Sequence, residues 1–158
     1  MPDCETELSI EAWAIHARIN LYLLAAIPDD GMSATLTGKG RTVFDLFAHI
    51  HNVRLMWLKS AAPNLLDGLF KIDPKESGTS AELAAALTAS SDAIVELLRQ
   101  SFASGGKIKG FKPHAFAFLG YLISHESHHR GQIEWALRIA GKPLPDTISY
   151  GLWEWGTR

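Results

Sequence analysis

Apolar residues recur at helical spacing through most of the chain. In TELSIEAWAIHARINLYLLAAI, residues 6 to 27, the side chains of Ile10, Trp13, Ala17, Leu21 and Leu24 fall on one stripe, the rhythm of an amphipathic helix. Pro28 and the Asp-Asp-Gly behind it end the run. GMSATLTGKGR reads as a linker by its Gly, Ser and Thr content. Thr42 is placed to cap a second helix, VFDLFAHIHNVRLMWLKSA, which stops before Pro63. Residues 63 to 79 carry two prolines and two glycines and predict no regular element. Thr79 with Glu82 three positions on is a capping-box pattern. It opens a third helix, ELAAALTASSDAIVELLRQSF, closed by Gly105 and Gly106. Pro113 suits the first turn of a fourth helix that runs to Ala140 and is closed by Gly141 and Pro143. The tail, DTISYGLWEWGTR, is aromatic and is expected to fold back on the helices with one short helical turn.

No stretch alternates apolar and polar residues with β-branched enrichment, so no sheet is expected. The pattern predicts an all-α chain, an antiparallel four-helix bundle with an aromatic C-terminal tail, formed by residues 1–158 as a single domain. The connections after the first and second helices are long enough for a crossover. A chain of 158 residues buries about 70% of its unfolded surface and needs no staple. Composition changes this picture little. A net charge of −2 gives no electrostatic case for a nucleic acid or an anionic membrane surface. The longest apolar stretch, HAFAFLGYLIS, is shorter than the roughly 18 residues of a membrane span. Cys4 is the single cysteine, which excludes an internal disulfide and a cysteine-only metal site. With no basic-then-apolar leader in MPDCETELSI, a cytoplasmic location is expected.

Candidate chemistry concentrates in HESHHRGQ, residues 125 to 132. On a wheel of about 100° per residue with His125 at zero, His129 falls near +40°, Gln132 near −20°, and the apolar arc centres near +60°. His125 and His129 therefore belong to the inward face. His128 falls toward its edge, and Glu126 and Arg130 lie at about 100° and 140°. A buried polar group without a hydrogen bond costs about 1–3 kcal/mol. One ion shared by two imidazoles four residues apart removes that cost; histidines bonded to backbone or water are the alternative. A third ligand has to come from another helix, where His16, His49, His51 and His114 are available. The second helix is the best source, because its histidines sit mid-helix. The wheel does not separate His49 from His51.

These segments resemble a known family. HESHHRGQIEWALRIAGKPLPD looks like the C-terminal signature of the DinB/YfiT-like metalloenzymes. AHIHNVRLMWL is similar to that family's second-helix pattern, and WAIHARINLYLLAAIPDD to its first helix. The resemblance covers most of the chain, least at residues 63 to 79. It implies a four-helix bundle holding one divalent transition metal on His49, His125 and His129. His49, not His51, stands eight residues before Trp57 as the pattern requires, and His128 is not a ligand. Zinc or nickel is the first expectation, with iron, manganese or copper as alternatives. The chain departs from the family at Asn52, where an aspartate is common, and at Ser124, before the histidine pair; neither change removes a ligand.

Three neutral ligands with further positions open is the layout of a catalytic metal. The resemblance implies thiol-dependent S-transfer with bacillithiol, mycothiol or glutathione. The alternatives are a metal-dependent hydrolase, a non-catalytic metal-binding stress-response protein, and an interaction module with a degenerate site. Gln132 is placed to hydrogen-bond a ligand or a bound water. Gly131 is expected to allow close helix approach, Arg130 to serve an ion pair or an interface, and Glu134 to be solvated. His16, His51 and His114 are assigned to the surface or to partial burial. Trp57, Trp135, Trp153 and Trp155 are expected as core or dimer-interface anchors. The expected partners are a small-molecule substrate and a second copy of the chain.

Overall fold

The computed structural model describes residues 4–73 and 78–158. The described chain is helical, with four long helices and no named strand. They are α1 (Cys4–Ala26), α2 (Val43–Ala61), α3 (Ser80–Ala103) and α4 (Ala115–Ile139), followed by a short α5 (Asp146–Gly151).

The helix boundaries follow local chemistry. Thr42 Oγ1 accepts from the Asp45 amide at 3.1 Å while the Asp45 carboxylate accepts from the Thr42 amide at 2.9 Å. Thr79 and Glu82 repeat that reciprocal arrangement at 3.1 and 2.7 Å. Each box satisfies amides that the first helical turn leaves without a partner. At the end of α3 the Gly106 amide turns back to the Ser101 carbonyl at 2.8 Å, with Gly105 and Gly106 both at positive φ. The start of α4 differs from the sequence expectation. The helix begins at Ala115, because His114 is its cap and its Nδ1 accepts from the Ala117 amide at 3.2 Å. Pro113 lies outside the helix.

Helix α1 packs on α3 and α4, and α2 packs on the same two. The core divides into two apolar clusters. One contains Ile19, Leu23, Phe47, Ile50, Leu87 and Ile133; the other contains Trp13, Leu58, Ile94, Leu98, Phe118 and Leu122. Along α1 and α4 the second cluster is met first, and along α2 and α3 it is met last. So α2 and α3 run in the same sense, and the connection between them is a crossover.

Between the clusters lies a buried polar layer drawn from all four helices. Glu126 of α4 accepts from Arg54 of α2, through Nε at 2.7 Å and NH2 at 2.8 Å. It also accepts from the His16 and Asn20 side chains of α1, each at 2.7 Å. Arg54 reaches α3 as well, donating to the Leu87 carbonyl at 2.8 Å and Ser90 Oγ at 3.2 Å. Its guanidinium stacks 5.0 Å from the Trp13 ring. Glu126, His16 and Asn20 have no exposed surface.

The tail folds back as expected at Leu152, which is buried, and at Trp155, which packs against the first cluster. Trp57 is half-buried among Phe111, Phe118 and Tyr121. Trp135 and Trp153 are not core residues: they are 61% and 80% exposed. No described helix is long and apolar enough to cross a membrane.

Candidate metal centre

Helix α2 supplies His49 and helix α4 supplies His125 and His129 to one place. Each ring offers one nitrogen, and these nitrogens lie within 4.8 Å of one another. Ring centroids are 4.6 Å apart for His125 and His129, 4.7 Å for His49 and His129, and 5.3 Å for His49 and His125. The four-residue step on α4 stacks two imidazoles on one face, and their Nε2 atoms approach to 3.1 Å. His129 is buried, and His49 and His125 are half-buried.

Gln132, one turn beyond His129, accepts a hydrogen bond from its Nδ1 at 2.7 Å. That bond fixes the proton on Nδ1 and leaves the Nε2 lone pair facing His125. His125 Nδ1 is buried with no hydrogen-bond partner among the described residues. Burial lowers the pKa of all three imidazoles, with Arg41 adding to the effect at each. His49 is pushed down to about 4. The rings are therefore neutral at physiological pH, the form that binds a metal. Two nitrogens 3.1 Å apart sit close to the roughly 3.3 Å that imidazole–zinc bonds of about 2.0–2.1 Å imply in tetrahedral geometry. The three histidines can hold one ion.

Two of the other histidines differ from their sequence assignments. His16 and His51 are buried, not surface residues. His16 belongs to the polar layer. His51 Nε2 donates to the Phe70 carbonyl at 2.9 Å. Asn52 pairs with the Ile72 backbone in both directions, at 2.8 and 2.9 Å. Together they tie the segment before the undescribed residues 74–77 to α2. His114 is the exposed cap of α4, and His128 is exposed.

Three further assignments are corrected. Arg130 is a buried member of the polar layer rather than one half of an ion pair: it donates to Asn20 at 2.7 Å, His16 Nδ1 at 3.2 Å and Ser127 at 2.9 Å. Gly131 permits no close approach, since a Cβ there would meet nothing within 4 Å. Glu134 is half-buried, and burial raises its pKa.

Sequence reading missed Glu126, Arg54 and Asn20. A signal was present. Arg54 continues the stripe of Leu46 and Ile50 at four-residue steps and precedes Leu58 by four, so it occupies a core position of α2. Asn20 follows His16 by the same step on α1.

A family model described as the DinB family matches residues 1–156. The chain belongs to the DinB family. No curated protein and no solved structure matches it. In this DinB-family chain the three clustered histidines are those at which the sequence resembles the family pattern.

The polar layer carries a pH dependence. Burial holds His16 below its ordinary 6.5 even though Glu126 works against the shift, and Arg130 and Arg54 reinforce it. Burial alone would raise the Glu126 pKa; the charge and hydrogen bonds of Arg54, with the bond from His16, override it and hold the carboxyl well below the usual carboxylate range. Both shifts have one sign. The unfolded chain takes up protons that the folded chain refuses, so stability falls as pH falls. The fall starts near 6.5 for His16 and near 4.5 for Glu126, the ordinary values of the two groups. Each proton taken up only on unfolding steepens the profile by about 1.4 kcal/mol per pH unit. With EDTA present, the urea midpoint is expected to drop between pH 7.5 and 5.5 and more steeply below 4.5. A flat midpoint from pH 7.5 to 5 would contradict this account of the layer.

Proposed function

We propose that this DinB-family protein binds one divalent transition metal, zinc or nickel, on His49, His125 and His129, and uses it in thiol-dependent S-transfer. The observation that carries the reading is the convergence of three neutral imidazoles from α2 and α4 within 4.8 Å, beside a cleft of about 650 Å³ that His49 helps to line. Reading α2 and α4 as an antiparallel pair of the bundle accounts for the shared depth of the three rings. A metal on three neutral ligands keeps its full charge and supplies the Lewis acidity that lowers the pKa of a thiol reaching it. The chain's own part is positional. Gln132 orients His129, and the ligands sit on helices locked together by the Arg54–Glu126 pair, so the site is held on rigid elements. Exposed Trp135, Ile139 and Trp153 offer apolar surface to a second copy of the chain, and we read the protein as a homodimer acting on a small molecule in a reducing compartment.

Elemental analysis of protein made without a histidine tag is expected to give about one transition-metal ion per chain. The loaded protein is expected to accelerate adduct formation between monochlorobimane and at least one of glutathione, bacillithiol and mycothiol. Metal content near zero after equilibration with zinc and nickel would end the metal reading. Full metal content with no acceleration for any of the three thiols would end the transferase reading and leave a hydrolase or a non-catalytic metal-binding protein.

A further inference from the structure

The cleft beside His49 has a chemical character that the metal site does not require. One wall is the outward stripe of α2, in which Asp45, His49, Asn52, Val53, Met56 and Lys59 follow one another at steps of one, three or four residues. At a rise of about 1.5 Å per residue, the stripe from Asp45 to Lys59 is about 21 Å long. The opposite wall is Leu66, Leu69 and Lys71, and Arg41 stands at the end nearest His49. The middle is apolar, with Met56 left 53% exposed. A volume of about 650 Å³ suits a small organic molecule.

The charges are one-sided. Arg41, Lys59 and Lys71 face the cleft against a single carboxylate, Asp45, and that carboxylate is engaged by the Thr42 amide in the helix cap. None of the three cations is ion-paired with a described residue. This local excess stands on a chain of net charge −2. Arg41 is close enough to act on all three imidazoles. The position of Lys71 is built in, because its neighbours Phe70 and Ile72 are both tied to α2, by His51 and Asn52. Cations with no ion-pair partner among the described residues, beside an apolar lining, favour an anion with an apolar body, since the charges give up no ion pair on binding.

We propose that this cleft binds an organic acid, with its carboxylate held between Arg41 and Lys71 beside His49 and its apolar body lying along Val53, Met56, Leu66 and Leu69. The inference rests on the reading above for the role of His49 and adds the class of substrate, an amphiphilic carboxylate. An uncharged molecule of the same shape gains the apolar contacts without the charge-assisted hydrogen bonds.

The test uses the full metal-loaded chain and two fluorescent probes, dansylglycine and uncharged dansylamide, titrated at low ionic strength. Dansylglycine is expected to bind at least about tenfold more tightly than dansylamide, the scale of one charge-assisted hydrogen bond. Arg41→Gln and Lys71→Gln are each expected to weaken dansylglycine by about tenfold and leave dansylamide unchanged. Met56→Glu, at an exposed position where folding is not at stake, is expected to weaken dansylglycine through repulsion. Equal affinity for the two probes, no detectable binding of dansylglycine, or undiminished binding in all three variants would overturn the proposal. Metal content measured on the same samples keeps the two readings apart. Protein that takes up no metal yet prefers the acid retains the cleft and loses the metal; loaded protein with no preference retains the metal and loses the cleft.

Discussion

Replacing Glu126 with alanine is expected to cost about 3–5 kcal/mol of folding stability, the scale of breaking a buried ion pair from one side. The carboxylate is fully buried and accepts four short bonds, two from Arg54 and one each from His16 and Asn20. In Glu126→Ala the Arg54 guanidinium, 1% exposed, keeps only the Leu87 carbonyl and Ser90 Oγ as acceptors. Arg130 lies in the same layer, so two positive charges would share a space without an anion. For a domain whose whole stability is about 5–15 kcal/mol, the loss is a large fraction. Urea unfolding at pH 7.5 measures it, with an unchanged m-value showing that both end states are comparable. The double variant Arg54→Met with Glu126→Leu separates the charge from the shape. Removing both charges spares the layer an unpaired Arg54 guanidinium, although His16, Asn20 and Arg130 still lose the carboxylate, so it is expected to be more stable than Glu126→Ala alone. A loss below about 1 kcal/mol in Glu126→Ala would mean that water reaches the layer and solvates Arg54.

What the sequence disclosed and what it concealed follow from the range of the interactions. Thr42 with Asp45 and Thr79 with Glu82 act across three residues, so the starts of α2 and α3 are written locally. The pairing of His125 with His129 is also local, whereas His49 is set apart from His51 only by the resemblance to the family's second-helix pattern. The polar layer is different. His16 and Glu126 are 110 residues apart, and Arg54 and Glu126 are 72 apart. A wheel drawn for one helix places Glu126 about 40° from the apolar centre, nearer to it than His125, but it shows nothing of the partners on other helices that make a buried carboxylate tolerable. Arg54 has the same difficulty at a core position, because burial of either residue is tolerable only with the other. His51 was misplaced for a related reason, since its acceptor is a carbonyl in an irregular segment with no helical pattern. Length alone allowed a crossover after α2; the order in which each helix meets the two apolar clusters decides its direction.

Removing the His129 imidazole is expected to abolish stoichiometric metal binding at micromolar protein, while His128→Ala leaves it intact. The two rings are adjacent in sequence but differ in placement: His129 is buried with its Nε2 3.1 Å from that of His125, and His128 is exposed. Loss of one of three ligands leaves an ion with two imidazoles, too few to hold it against a competing chelator. Gln132→Ala tests a subtler point. The ligands all remain, but the bond that fixes the His129 proton on Nδ1 is gone, so the ring can turn and present the wrong nitrogen. Loss of such a supporting bond weakens metal binding by about 10–100-fold. Competition with a chromophoric chelator at pH 7.5 ranks the variants, and wild type and His128→Ala should bind alike, Gln132→Ala more weakly, and His129→Ala not at all. Each neighbour tests a different failure. Equal losses in His128→Ala and His129→Ala would move the ion toward the exposed ring, outside the polar interior. An unaffected Gln132→Ala would mean that packing around the ring, rather than its hydrogen bond, selects the nitrogen that faces the ion.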